Sequence, residues 1–249
     1  MSDAVDQFDF YPCMVDDKPA SIYLNLRFED AAQRAGADTR YGVTIQMREA
    51  GPYGIGTAEE ASVLDAFEEA LIARLAEAGL RYVGRLRHRA QWEVTFYGPA
   101  GRDELVRAAA AARLDGRRVE AQCTPDASWR YYVELLLPDA ERTRWMDDRR
   151  LVQVLREQGD RLVTPRRVDH RVSFATEPAR AAFLDAIARH GFTLQRLLDA
   201  PASDRPFGVS VSRTDPIELD HIHDVVMQVV DAATPHGGHY DRWETSIES

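Results

Sequence analysis

Apolar and polar residues alternate in short blocks set off by Gly, Pro and Asp, and the period of each block predicts its backbone. Ile22, Leu24 and Leu26 alternate with polar or amphipathic neighbours, the period of a half-buried strand. That run and the preceding DFYPCMV read as two strands joined at DDKP, where Asp and Pro favour a turn. RYGVTIQMRE (40–49) repeats the alternation with Val43, Ile45 and Met47, and GPYGIG then breaks the chain as a turn. From residue 57 the period becomes helical. Val63, Leu64, Phe67, Leu71, Ile72 and Leu75 recur three and four apart, with Thr57 as N-cap, Glu59 and Glu60 in the first turn, and Gly79 as terminator. RYVGRLRHR and QWEVTFYG read as strands, GRDELVRAAAAARLDG as a helix ended by Gly116, and RRVEAQCT and WRYYVELLLP as further strands.

The charged stretch 138–150 predicts a helix and a domain boundary. It continues through Leu151, Val154 and Leu155 to Gly159. The cycle then repeats: strand RVDHRVSFAT, helix EPARAAFLDAIARHG, strands FTLQRLLDA and PFGVSVSRT, a helix begun by Asp215 and Pro216, and a last strand in GGHYDRWETSIE. The order β-α-β-β-α-β thus occurs twice, at about 40–123 and 166–248. The expectation is an α+β chain of two tandem ferredoxin-like domains, over 1–140 and 147–249, each an antiparallel sheet with its helices on one face.

Composition narrows the function classes. The chain has 249 residues and a formal charge of −10. Residues 1–150 carry 20 basic and 26 acidic side chains, and residues 151–249 carry 11 and 15. Neither half has the positive field of a protein that grips a phosphate backbone, so direct nucleic-acid binding is disfavoured. Lys18 is the only lysine. Two cysteines, Cys13 and Cys123, are too few for a disulfide framework or a cysteine zinc cluster, though they would be neighbours if the first and sixth strands paired. The acidic start MSDAVDQFDF lacks the apolar core of a signal peptide, and no run approaches about 18 apolar residues. The expectation is a cytoplasmic protein without a membrane span.

LVQVLREQGDRLVTPRRVDHRVSFAT, EPARAAFLDAIARHGFTL and HGGHYDRWETSI together resemble, over about 147–249, the regulator of ribonuclease activity B family. That family's usual ending is closer to Tyr-Asp-Gly-Trp, and Arg242 stands here where its Gly would be. An early aromatic-Tyr-Pro segment, VDDKPASIYLNL and YGVTIQM resemble, over about 8–137, the family called domain of unknown function 695. The first resemblance implies a non-catalytic protein that binds ribonuclease E, or another component of RNA turnover, and lowers its activity. Asp169, His170, Tyr240, Asp241 and Trp243 are the candidate contact residues.

Other constellations are read against simpler alternatives. Arg81, Arg85, Arg87 and Arg89 are all odd-numbered and would line one face of a hairpin, a basic patch for RNA or for an acidic protein partner, or a solvated strand face. Asp16-Asp17 and Asp147-Asp148 read as solvated turn or helix-start residues. Asp241 and Trp243 would share one strand face and Tyr240 and Glu244 the other. No catalytic, cofactor or metal residue is expected. His221 and His223 are two apart, so on a helix they diverge and do not share a metal. The rival readings are a metal-dependent hydrolase or nuclease using His221, His223, His236 and His239, and a small-molecule sensor.

Overall fold

A computed structural model describes residues 5–111, 116–200 and 202–248. The chain divides into two compact units, Met1–Asp139 and Ala140–Ser249.

In the N-terminal unit, β1 (Phe8–Val15) and β2 (Lys18–Asn25) form a hairpin, followed by β3 (Thr39–Gln46), α1 (Ala58–Ala76), β4 (Arg81–His88), β5 (Gln91–Gly98), α2 (Asp103–Ala111) and β6 (Val119–Pro125). The end expected for the second helix, before Gly116, lies outside the described residues. All adjacent strands are antiparallel, in the order β1-β2-β4-β5-β3-β6. Without the β1–β2 hairpin this is the ferredoxin-like order, β4-β5-β3-β6 around two helices. Thr57 caps α1, accepting from the Glu60 amide at 3.2 Å. Leu64, Phe67, Leu71 and Leu75 of α1 then pack on Val43, Ile45, Trp92, Val94 and Phe96. Each such side chain, fully buried, contributes roughly 1.5–3 kcal/mol. Cys13 and Cys123 sit in β1 and β6, at opposite edges of the sheet, and are not joined in a disulfide.

The run WRYYVELLLP is helical, not a strand: it forms a turn ending in a π-helical stretch, Tyr132–Leu136. Trp129, Tyr132 and Leu136 are buried while Arg130, Val133 and Glu134 face out, a helical spacing that the β-forming aromatics obscured. This segment lies on the sheet face opposite α1. Trp129 stacks on Tyr97 with ring centroids 3.9 Å apart, and Tyr132 donates to the Asn25 carbonyl at 2.8 Å.

The C-terminal unit consists of α3 (Ala140–Glu157), β7 (Arg166–Phe174), α4 (Glu177–Ala188), β8 (Thr193–Asp199), β9 (Phe207–Asp215), α5 (Leu219–Ala233) and β10 (His239–Thr245). Its sheet is antiparallel in the order β10-β7-β9-β8, the ferredoxin-like arrangement again. Val168, Val172, Phe174, Val209 and Val211 meet Phe183, Ile187, Ile222 and Val226 in the core. α3 adds Val152 and Leu155 to that core and packs on α5.

α5 begins at Leu219 instead of Asp215. Asp215 is the last residue of β9, where its buried carboxylate binds Arg213 at 2.9 Å and His221 at 3.1 Å. A carboxylate already bonded to two side chains has no need to cap a helix. Asp160 closes the far end of the unit. It accepts from Arg166 through both oxygens, and from the Leu162 and Glu248 amides at 2.8 and 3.0 Å. The end of α3, the start of β7 and the segment after β10 are thereby tied to one carboxylate.

Candidate functional site

The residues singled out at the C-terminus gather between α3 and β10, around a carboxylate that the sequence reading left in solvent. Asp148 is 3% exposed. It lies in phase with Val152 and Leu155, four and seven residues on, so the helix turns it toward the core. Trp243 donates its indole N–H to Asp148 Oδ1 at 2.8 Å, and His223 Nδ1 lies 2.8 Å from Oδ2. A carboxylate only accepts, so the imidazole donates. Burial raises the Asp148 pKa above the usual carboxylate range, and the bonds from His223 and Trp243 offset this only in part.

A second buried pair lies beside the first. His170 Nδ1 and the Tyr240 hydroxyl are 2.9 Å apart. His170 is fully buried, its ring meets Phe192 edge-on at 5.5 Å, and its Nε2 has no protein partner. Burial lowers its pKa to about 4, against the pull of Asp215, so the ring is neutral. Burial also pushes Tyr240 well above the ordinary phenol range, helped by the Asp148 charge. The Arg144 guanidinium covers the Tyr240 ring at 4.8 Å.

Strand alternation fails in β10 for a specific reason. The pairing with β7 slips between Tyr240 and Arg242, leaving Asp241 in a bulge. Tyr240 and Trp243 therefore both turn inward, at 5% and 3% exposure, while Asp241 and Arg242 are exposed. Asp241 meets Ser173 at 3.3 Å instead of following Trp243 inward. Arg242 is not among the residues with positive φ, so the bulge forms without the left-handed backbone that a Gly would supply. Arg144, Asp147, Asp241 and Arg242 surround a cavity of about 200 Å³ with Asp148, Tyr240 and Trp243 on its inner side.

The glycine pair before β10 serves the same packing. Gly237 takes φ +65° to end the preceding turn. A Cβ on Gly238 would lie 2.5 Å from Phe174 Cε1 and 2.8 Å from Ala233 Cβ. Asp169, next to His170, points to the opposite sheet face and pairs with Arg167 at 2.6 Å.

The histidines are divided between separate carboxylates: His221 binds Asp215 and His223 binds Asp148. His239 lies 3.8 Å from Asp241. Among the described residues no three His, Cys, Asp or Glu side chains form a metal-ligand group.

The four arginines of the N-terminal hairpin do not share a face. A bulge at Val83 shifts the register with β5, so that Tyr82, not Arg81, lies on the side of Arg85 and Arg87. Gly84 permits the bulge, since a Cβ there would lie 2.4 Å from the Tyr23 carbonyl. Arg81 donates to the carbonyls of Gln33 and Ala35, at 2.8 and 3.0 Å. Arg85 binds Asp65 and Glu68, Arg87 donates to Ser21 at 3.3 Å, and Arg89 sits in the β4–β5 turn near Asp16. Glu68, 4% exposed, was missed as Asp148 was. It too lies in phase with an apolar stripe, Leu64, Leu71 and Leu75. It accepts from Trp92 Nε1 at 2.6 Å, from Tyr82 and from Arg85.

Two ferredoxin-like sheets, the second closed by a bulged last strand over a Tyr–His and a Trp–Asp–His knot, define a tandem α+β protein. A family model described as a family of unknown function, DUF695, matches residues 6–137, more than half of the length, and the chain belongs to that family. The model for regulator of ribonuclease activity B matches residues 145–245, which include Asp148, His170, His223, Tyr240 and Trp243. No curated protein matches the chain. The solved structure of an unknown protein from Galdieria sulphuraria is 12% identical, with 82% of this chain and 96% of that one covered, at a TM-score of 0.24. Among the described residues no helix is long and apolar enough to cross a membrane.

Proposed function

We propose that the protein is a non-catalytic cytoplasmic regulator whose C-terminal domain, 147–249, contacts an RNA-degrading enzyme of the ribonuclease E type and slows it. The observation that carries this reading is the match to regulator of ribonuclease activity B over 145–245. The site supports it chemically. Tyr240, His170, Trp243 and Asp148 bond to one another inside the unit, so they fix the shape of the α3–β10 surface. The exposed Asp241 and Arg242 supply the polar contacts of that surface, and the partly exposed Asp169 those of the opposite sheet face. Paired charges of both signs on a rim favour a protein partner, for which complementary charge sets encounter rate and register.

The test is a cleavage assay with purified ribonuclease E and a fluorogenic RNA, alongside binding measured without RNA. The full chain is expected to bind the enzyme directly and slow cleavage in proportion to occupancy. The double variant D241R/R242E is expected to weaken binding by about tenfold. Slowing that tracks binding of the chain to the RNA itself would sink the proposal, as would an unchanged rate at saturating protein.

A further inference from the structure

We propose that the N-terminal unit holds a binding site for a small aliphatic organic cation, carrying ammonium or guanidinium groups and no carboxylate. The site is a cavity of about 670 Å³ beside α1, lined wholly by residues of that unit. This volume lies within the usual range for small-molecule sites, about 300–1,000 Å³. Its apolar surface comes from Phe28, Ile72 and Leu80, and its aromatic wall from Phe8, Tyr23 and Tyr82. Phe8 lies in the wall with its ring centroid 5.2 Å from Tyr23 and 5.6 Å from Tyr82.

The charged groups fix the sign of the ligand. Three guanidinium groups line the cavity, and each is engaged by the protein itself, although Arg85 bonds through Nη1 alone and its Nε, buried out of the cavity's reach, has no partner. Arg27 binds Asp6 and Gln33, Arg81 binds two backbone carbonyls, and Arg85 binds Asp65 and Glu68. The carboxylates are not matched in the same way. Asp6 and Asp65, 55% and 46% exposed, accept through Oδ1 alone. Glu69 is exposed and has no hydrogen bond or ion pair among the described residues. What the cavity offers an incoming molecule is therefore acceptors and aromatic faces, the two features that select a desolvated organic cation.

The unit already makes this kind of contact. The Arg85 guanidinium lies 5.0 Å from the Tyr23 ring and 4.3 Å from that of Trp92, between Asp65 and Glu68. A ligand in the cavity would place its cationic head against Glu69 and the free oxygens of Asp6 and Asp65, and its methylene stem on the exposed Phe8, which stacks on Tyr23. A free α-carboxylate would be carried into the same acidic rim. Agmatine is therefore expected to bind and arginine to be rejected, although the two share a guanidinium and stem.

Isothermal titration of the full chain with agmatine, spermidine, arginine and N-acetylarginine methylamide tests this. Agmatine or spermidine is expected to bind at least about tenfold tighter than arginine. Glu69→Lys, on the exposed face of α1, should weaken that binding by about tenfold or more with an unchanged melting temperature. Phe8→Ala should weaken it through loss of the wall. The proposal is overturned if neither free amine binds at about 10 mM, if arginine binds as well as agmatine, or if Glu69→Lys leaves the affinity unaltered. It is also overturned if the capped arginine binds tighter than both free amines, which would assign the cavity to a side chain of a partner polypeptide.

Discussion

The two units solve one problem twice, with different chemistry. Each buries a carboxylate on a helix and gives it a tryptophan N–H from a strand: Glu68 receives Trp92 at 2.6 Å, and Asp148 receives Trp243 at 2.8 Å. In each, the carboxylate is in phase with an apolar stripe. The remaining partners differ. Glu68 is held by Arg85, whose charge is permanent, and by Tyr82. Asp148 is held by the imidazole of His223. One knot is thus a fixed charge pair supporting the wall of a cavity, and the other a carboxylate bonded to an imidazole beneath the α3–β10 surface.

The sharpest way to break the comparison is to remove each carboxylate. Glu68→Ala leaves a buried indole N–H and a tyrosine hydroxyl without their acceptor and takes from Arg85 one of its two carboxylates, with Asp65 remaining. Each stranded buried donor costs about 1–3 kcal/mol, and a loss near about 4 kcal/mol in all is expected. Asp148→Ala strands one indole N–H and one imidazole N–H and involves no bonded guanidinium, so about 3 kcal/mol is expected. Urea denaturation measures both. If Asp148→Ala costs the more of the two, the fixed pair is not the stronger knot.

Acid should separate the units further. Folded His170 has a pKa of about 4, whereas an unfolded imidazole titrates near about 6.5. Between those values the unfolded chain binds the extra proton. Stability is therefore fully present above about pH 6.5 and falls as pH drops toward 4, by about 3 kcal/mol in all. The groups setting this shift are the surrounding burial first, then Asp215, Arg213 and Asp169. Asp148 acts in the opposite sense, because a raised pKa means that acid relieves the strain of burying its charge. The double variant H170F/Y240F, which removes both polar partners together, should flatten the loss between pH 6.5 and 4 in urea melts recorded across that range. An unchanged slope would place the titration elsewhere.

Packing at the two tight glycines of the C-terminal turn gives a smaller effect. Gly238→Ala would drive a methyl into Phe174 and should cost about 2 kcal/mol. Gly237→Ala, with nothing near its Cβ but a φ of +65°, should cost about 1 kcal/mol. Thermal melts of the two variants compare them. Equal losses would mean that backbone conformation, and not contact with Phe174, explains the pair.

Much of this architecture was legible because its signals are local. The stripes of α1 and α3, the Thr57 cap and the turns at Asp16-Asp17 and Gly159 follow from periods of two and 3.6 and from turn chemistry. The element order then carried the sheet order. What escaped depends on pairing. The bulges at Val83 and Asp241 exist only relative to β5 and β7, and no alternation count along one strand reveals them. The helical run 130–136 was hidden because its aromatic residues favour strands, although its buried positions, counted from Trp129 just before it, are three and four apart. Asp148 and Glu68 were the readable omissions. A carboxylate in phase with Leu, Val or Phe, when a tryptophan is available on a strand, is a signal that could have placed both knots. Of the candidate contacts, Tyr240, Trp243 and His170 proved to be internal partners, and Asp241 faces solvent.

The finest contrast lies within the N-terminal unit, between its two hairpin turns. The β1–β2 turn has Asp16 and Asp17 at φ +47° and +57°, and the β4–β5 turn has Arg89 and Ala90 at +50° and +61°. Both need left-handed backbone at two successive residues, the geometry that matches the twist of paired strands. Aspartate tolerates this conformation through local hydrogen bonding, whereas alanine has no compensation for its Cβ. The Ala90 carbonyl accepts from the Met47 amide at 2.8 Å and its N–H donates to Gly54 at 2.8 Å, so the strained residue is held from both sides. Replacing Ala90 by Gly relieves the strain and retains both bonds. It also frees the unfolded chain, which offsets part of the gain. A net stabilisation of about 0.5–1 kcal/mol is expected in urea melts, whereas Asp17→Gly should change stability by less. A loss at Ala90, or an equal gain at Asp17, would show that the two turns do not differ in strain.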